Sequence, residues 1–311
     1  MKHLPFIHIC RLQRIIIIAT VLLAFSANIS YGKALKTTSG RINVSGGGYI
    51  YYEETGKGEP VLLLHGHSLD RRMWASQVKA FAKHFRVICP DFRGYGKSSD
   101  QDEALQMTHL DDIITLMDSL HIERAHIVGL SMGSFVGGDC VAMHPERLIS
   151  CVLASGAIRS TKGPSEPMDS LEAAKRDKEI AELKQKGIQK MKEEWIEALT
   201  SGGGSHAESI RKPLTEMIND WTAWQPLHKE VRLFYARDAW ERLKQVRPST
   251  PVLMITGEKE AGKSPRRPAM LTYLPNGQWL ILPDCGHMLN MERPKLFNKT
   301  VLKFLKKHRE K

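Results

Sequence analysis

The pentapeptide Gly129-Leu130-Ser131-Met132-Gly133 constrains this chain more than any other feature. It follows an apolar segment of strand length, Ala125-His126-Ile127-Val128, and opens a segment predicted as a helix from Met132 to Met143. A serine flanked by glycine two residues to either side, between a strand and a helix, is the pattern of a nucleophile elbow. The sharp turn strains the serine backbone and exposes its Oγ. Glycine at both flanks removes the Cβ atoms that would collide as strand and helix close together. Ser131 is therefore the candidate nucleophile.

Around this turn the chain alternates between two periods. Tyr49–Tyr52, Val61–Leu64, Arg86–Cys89, Ala125–Val128 and Ile149–Leu153 read as strands, and several are continuous apolar runs suited to burial on both faces. Between them, Val78, Phe81, Ala82 and Phe85 fall at helical spacing. Thr108 with Asp111 makes a capping-box start to a helix whose face is Ile113, Met117 and Leu120. The alternation stops near Ser155 and resumes with strands at Val252–Ile255 and Trp279–Leu282, then a helix through Leu296, Phe297, Val301 and Phe304. Strand and helix in strict turn predict an α/β fold, a parallel sheet covered on both faces.

The interruption, about 160–245, has a different composition. Lys, Glu and Ala dominate, Ile188, Met191, Trp195 and Leu199 recur at helical spacing, and Gly202-Gly203-Gly204 divides the helical stretches. A helical insertion of this size predicts a cap over a site. Trp195, Trp221, Trp224 and Trp240 lie in it, and at least one is expected to line the substrate pocket.

Three loops after strands complete the candidate chemistry. His65-Gly66-His67 follows Val61–Leu64. No third ligand stands at metal-binding spacing, so an oxyanion loop is the better reading: the backbone N–H groups of His67 and Met132 would converge on a developing oxyanion. His287 follows the last strand, where a base must lie to reach the elbow. The order Ser, acid, His places the acid between 131 and 287. Glu258 and Glu260 directly follow the strand at 252–256, and Asp284 precedes the histidine, so the acid stays open on these grounds.

Four segments together resemble the α/β-hydrolase superfamily, and within it the esterase, enol-lactonase and cofactor-free haloperoxidase group. They are Leu64-His65-Gly66-His67 with Trp74, Pro90–Ser98 (PDFRGYGKS), Gly129–Gly133 with His144-Pro145-Glu146-Arg147, and Gly257–Glu260 with Gly286-His287. The resemblance implies an eight-stranded, mostly parallel sheet with a helical cap after strand six. It makes Glu260 the first choice of acid, with Glu258 and Asp284 behind it. It also implies acyl transfer on a small-molecule ester, with a lactonase, a carbon–carbon bond hydrolase or a non-catalytic binder as alternatives, and no cofactor or metal. Family members usually carry Asp at the position of Glu260, and a serine at 131 excludes the branches that use an aspartate nucleophile.

Residues 1–32 read as a signal peptide ahead of a catalytic domain at 33–311. Lys2, Arg11 and Arg14 precede an apolar run from Ile15 to Phe25, and Ser30 and Gly32 are small where a peptidase would read them. The run is short against the ~20 residues that span a bilayer, so export to the periplasm or medium is expected, with an N-terminal anchor as the alternative. The leader carries three basic residues and no acidic one, so its loss takes the net charge from +11 to +8. That surplus is expected to be a solvated face, since no basic patch is interleaved with aromatics and no nucleic-acid motif occurs. Cys89, Cys140, Cys151 and Cys285 lie among apolar neighbours, as buried thiols do. The expected mature chain begins near Lys33. N-terminal sequencing of protein from the native host checks this, and full-length chain in a membrane fraction would contradict it.

Overall fold

Along Val61-Leu62-Leu63-Leu64, successive side chains enter different apolar layers: Leu62 and Leu64 join one, Val61 and Leu63 the other. Ile127 and Val128, Val152 and Leu153, and Leu253 and Met254 divide in the same way. A pleated strand places alternate Cβ atoms on opposite faces, so these strands run through the middle of the molecule with a core on either side.

The computed structural model describes residues 35–102, 108–158, 170–228, 239–261 and 266–310. The expected leader lies outside them. Among the described residues the strands are β1 (Thr37–Asn43), β2 (Tyr49–Gly56), β3 (Pro60–Leu64), β4 (Arg86–Pro90), β5 (Ala125–Leu130), β6 (Leu148–Ala154), β7 (Val252–Gly257) and β8 (Gly277–Leu282). They form one eight-stranded sheet in the order β1-β2-β4-β3-β5-β6-β7-β8. β1 pairs antiparallel with β2 and β2 with β4, while every pair from β4 to β8 is parallel. The expected α/β fold with a mostly parallel eight-stranded sheet is what the chain adopts.

The helices are α1 (Ala75–Phe81), α2 (His109–Ser119), α3 (Met132–Met143), α4 (Ser170–Lys186), α5 (Ile188–Ser201), α6 (Arg211–Asp220), α7 (Trp224–Leu227), α8 (Ala239–Val246), α9 (Arg266–Leu271), α10 (Leu289–Glu292) and α11 (Pro294–Lys307). The capping box at Thr108 forms: its Oγ1 accepts from Asp111 N–H, and the Asp111 carboxylate accepts from Thr108 N–H. One apolar layer holds Ile113, Leu116 and Met117 of α2 with Val136 and Cys140 of α3. The other holds Phe81 of α1 and Phe297, Val301 and Phe304 of α11. Cys89, Cys140, Cys151 and Cys285 are buried free thiols.

The loop after β4 is held by buried charge. Asp91 accepts from the Arg71 and Lys97 N–H groups and from the Arg71 guanidinium at 2.8 Å. Arg93 makes a two-pronged pair with Asp112 of α2, and both are buried. Removing one member of such a pair leaves a charge stranded in the core. The backbone of this loop also reaches His65, whose Nε2 accepts from Phe92 N–H at 2.9 Å. The His65 proton therefore lies on Nδ1, which donates to Gly66 C=O. Burial lowers the pKa of His65 and pushes that of His109 well down.

Helices α4 to α8 lie in sequence between β6 and β7, where a helical insertion was expected. They are not alike in their packing. α8 lies against α3, with Ala239 and Leu243 buried in the layer that covers the sheet. This packing yields one prediction, and the burial of His109 in α2 a second. Leu243→Ala should cost about 2–5 kcal/mol in chemical denaturation, the loss expected when a buried leucine leaves a cavity; a cost below about 1 kcal/mol would show α8 to be peripheral. His109 binds its proton in the unfolded chain below about pH 6.5 but resists it when folded, so its contribution is complete above that pH and declines as pH falls. His109→Phe should therefore flatten the stability–pH curve between pH 6.5 and 5 by about 1.4 kcal/mol per unit, relative to the parent chain.

Candidate active site

β5 runs through Gly129 and Leu130 before the chain turns at Ser131, whose φ of 53° and ψ of −112° place it in strained left-handed backbone. The glycine pair explains how strand and helix close. A Cβ on Gly129 would come within 2.1 Å of Gly133 C=O, and one on Gly133 within 2.1 Å of Leu64 C=O. Ser131 N–H donates to Ala154 C=O at 2.9 Å, and Gly133 N–H donates to His65 C=O at 3.0 Å. The elbow is thus fastened to β6 on one side and to the loop after β3 on the other.

That second loop brings His67 to the elbow. The Cβ of Ser131 would touch a Cβ built on Gly66, at 3.6 Å. Met132 is the first residue of α3, so its N–H has no place in the helical ladder. Among the described residues neither Met132 N–H nor His67 N–H donates to a protein acceptor. The two donors expected at an oxyanion site flank the serine and remain available to a ligand. The His65 ring holds the loops as described, while His67 Nδ1 engages Tyr95 Oη at 2.7 Å.

His287 comes to the same edge on the loop after β8. Ser155, the residue after β6, donates its Oγ to His287 C=O at 2.9 Å. Its neighbour Ala154 accepts from Ser131, so serine and histidine share one anchor at the end of β6. His287 Nδ1 is 2.6 Å from Glu260 Oε1, and both side chains are largely buried. Glu260 ends a single helical turn after β7, and Lys259 N–H donates to Cys285 C=O at 3.1 Å, joining the acid and histidine loops. Gly257 permits this approach: a Cβ there would meet Gly286 C=O at 2.2 Å.

The other two candidate acids serve elsewhere. Glu258 Oε2 accepts from Asp284 N–H at 3.0 Å. Asp284 accepts from Ser205 N–H at 2.8 Å and pairs with Arg293 at 2.9 Å. The Ser205 hydroxyl and N–H hold its pKa down to about 2. The structure therefore brings Glu260 to His287 and sets Glu258 and Asp284 to bracing the histidine loop.

Glu292 also braces that loop and was not anticipated from the sequence. It is buried, and its carboxylate accepts from Gly286 N–H at 3.1 Å and from Gly204 N–H at 2.7 Å. Its signal was a carboxylate directly after the largely apolar stretch Met288-Leu289-Asn290-Met291, where burial would require a hydrogen-bond partner. Through Gly204, Glu292 ties the glycine-rich break of the insertion directly to His287. Trp195 of α5 makes a second tie, donating Nε1 to Ser68 Oγ at 2.7 Å, beside His67. Trp195 and Trp221, with Met191, Glu194, Pro226 and His67, line a cavity of about 320 Å³.

With this geometry in place, comparison with known proteins gives a consistent result. Residues 61–300 match the model of the alpha/beta hydrolase family. The chain is 31% identical over 271 residues to a non-heme bromoperoxidase, BpoC, of Mycobacterium tuberculosis, covering 82% of this chain and 97% of that protein. It is 30% identical over 291 residues to a 2-hydroxy-6-oxononadienedioate/2-hydroxy-6-oxononatrienedioate hydrolase of Paraburkholderia phymatum, covering 86% and 96%. Among solved structures, a thermophilic esterase from Thermogutta terrifontis superposes with a TM-score of 0.70 at 27% identity, covering 88% of this chain and all of that one. The family model spans most of the sequence, and a relative above 30% identity is matched along nearly its whole length: the chain belongs to the alpha/beta hydrolase family.

Proposed function

We propose that this hydrolase cleaves carboxylic esters of small or medium-sized alcohols and acids through an acyl-enzyme on Ser131. The observation that carries the reading is the 2.6 Å contact between Glu260 and His287 on a loop anchored beside the strained serine. In this mechanism His287 takes the Ser131 proton as Oγ attacks the carbonyl, and Glu260 fixes the tautomer and stabilises the imidazolium. The N–H groups of His67 and Met132 receive the oxyanion, at about 3 kcal/mol per donor. His287 then protonates the leaving alcohol, and water releases the acid by the same steps. We further propose that α4 to α7 act as the lid and that the chain is exported.

A carbon–carbon bond hydrolase with the same residues is the second reading, favoured by the Paraburkholderia phymatum relative. That relative's named substrates are dicarboxylates, whereas among the described residues no Lys or Arg lines the cavity between Trp195 and Trp221 and Glu194 does. The ester reading therefore fits this cavity better.

A fluorophosphonate probe should label Ser131 and lose that labelling in Ser131→Ala, and p-nitrophenyl esters should be turned over. Absence of both would remove the ester reading. Glu260→Gln should lower turnover by roughly 10²–10⁴ with little change in melting temperature, because the amide keeps the size and removes the charge. Glu258→Gln should change turnover by less than about tenfold, since its amide oxygen can still accept from Asp284 N–H. A crippled Glu258→Gln beside an active Glu260→Gln would exchange the two roles.

A further inference from the structure

Any residue at position 67 could supply the backbone N–H of an oxyanion site. The histidine side chain there needs its own account. Its ring is partly exposed and lines the cavity of about 320 Å³. Trp221 meets it edge to face at 4.9 Å between centroids, and Trp195 does so at 6.4 Å. Tyr95 Oη, 2.7 Å from Nδ1, fixes the ring's rotation. Nε2 lies on the far side of the ring from that bond, and among the described residues no hydrogen bond is made to it.

We propose that the His67 side chain is a specificity-determining residue: its Nε2 hydrogen-bonds a hydroxyl on the substrate group that lies between Trp195 and Trp221, which selects neutral, hydroxyl-bearing esters. The proposal rests on the acyl-transfer reading above and names the substrate class for that site. A hydroxyl is the group that fits either state of the ring. If Tyr95 donates to Nδ1, Nε2 carries the proton and donates; if Nδ1 donates to Tyr95, Nε2 accepts. A hydroxyl can both give and receive, so it satisfies both tautomers, whereas an ether or an ammonium satisfies one.

The surroundings agree with an uncharged partner. Burial, with His65 close by, lowers the His67 pKa to about 4, so the ring is neutral at pH 7 and attracts no carboxylate. The tryptophan, methionine and proline walls favour an apolar or flat group, and among the described residues the charged side chain on the lining is the carboxylate of Glu194. The same residue would then read the substrate twice, its backbone holding the reacting oxygen and its ring the neighbouring hydroxyl. A ring present only to fill space would do as well as phenyl, and this contrast makes the test.

The full-length chain and its His67→Phe variant are assayed on matched esters that differ by one hydroxyl. The pairs are p-nitrophenyl 3-hydroxybutyrate with p-nitrophenyl butyrate, and 2-hydroxyethyl butyrate with propyl butyrate. The parent chain should favour the hydroxylated member of at least one pair by roughly 10–100-fold in kcat/KM, and His67→Phe should bring that ratio to within about threefold of unity. His67→Gln, whose amide can donate and accept, should restore part of the preference. Each ratio is taken within one preparation, so a loss of folded protein cancels. A hydroxyl preference that survives in His67→Phe, or none in the parent chain for either pair, overturns the proposal while ester turnover still upholds the acyl-transfer reading. No turnover of any ester and no fluorophosphonate labelling of Ser131 overturns both.

Discussion

The architecture depends on one close approach, where β5 ends against α3 and both press on the end of β3. Gly129 and Gly133 meet there, Gly133 against the Leu64 carbonyl, with no room for a Cβ on either, since each would fall 2.1 Å from a carbonyl oxygen. Ser131, between the glycines, has its φ at 53° because the chain has no other way to reverse in that space. Such strain costs of order 1–3 kcal/mol and persists only where the surroundings overdetermine it. Here the bonds from Ser131 to β6 and from Gly133 to the His65 carbonyl do so. The loops carrying His67 and His287 are positioned by these same two anchors, so the candidate site is a consequence of the strand–helix closure.

This is why the elbow and the sheet were legible from the residues. Glycine spacing reports a steric fact about backbones, and alternate burial on β3, β5, β6 and β7 requires continuous apolar runs that few other structures tolerate. Helix α3 was readable to its ends for the same reason, being buried along nearly its whole length between the Gly129–Gly133 turn and Pro145. β1 left no such trace. Thr37-Thr38-Ser39-Gly40-Arg41-Ile42-Asn43 is a largely exposed edge strand held by backbone pairing to β2, and Ile42 is the one side chain of it that packs on an apolar layer among the described residues. Its existence followed only from the eight strands implied by the family likeness.

The helical insertion was legible in extent but not in attachment. Periodicity located amphipathic helices between β6 and β7, yet it could not say which apolar face meets the sheet and which meets the cavity. Ala239 and Leu243 of α8 join the sheet's covering layer, whereas Trp195 of α5 faces the loop after β3. The difference lies in partners far apart in sequence. Trp195 reaches Ser68, and Gly204 reaches Glu292, so the insertion is fastened to both loops that carry the candidate chemistry. A displacement of α5 or of the Gly202–Gly204 turn would act directly on the backbone at His67 or His287.

The acid was the least legible element, and the reason is chemical. Glu258, Glu260, Asp284 and Glu292 all flank His287 in the chain and present the same functional group. Chain order sets Glu292 aside, since it follows His287, but spacing cannot rank the other three, because a carboxylate is an acceptor wherever it stands. What separates them in the folded chain is the donor that each one meets. Glu258 takes the N–H of Asp284, Asp284 takes Ser205 and Arg293, and Glu292 takes the N–H groups of Gly204 and Gly286. These donors keep their protons throughout, so three of the four carboxylates can only hold the loop in shape. Glu260 is the carboxylate that meets a ring nitrogen instead, with the His287 imidazole against it. Three carboxylates brace the loop through fixed donors, and the loop they brace is the one that sets the His287 ring against Glu260.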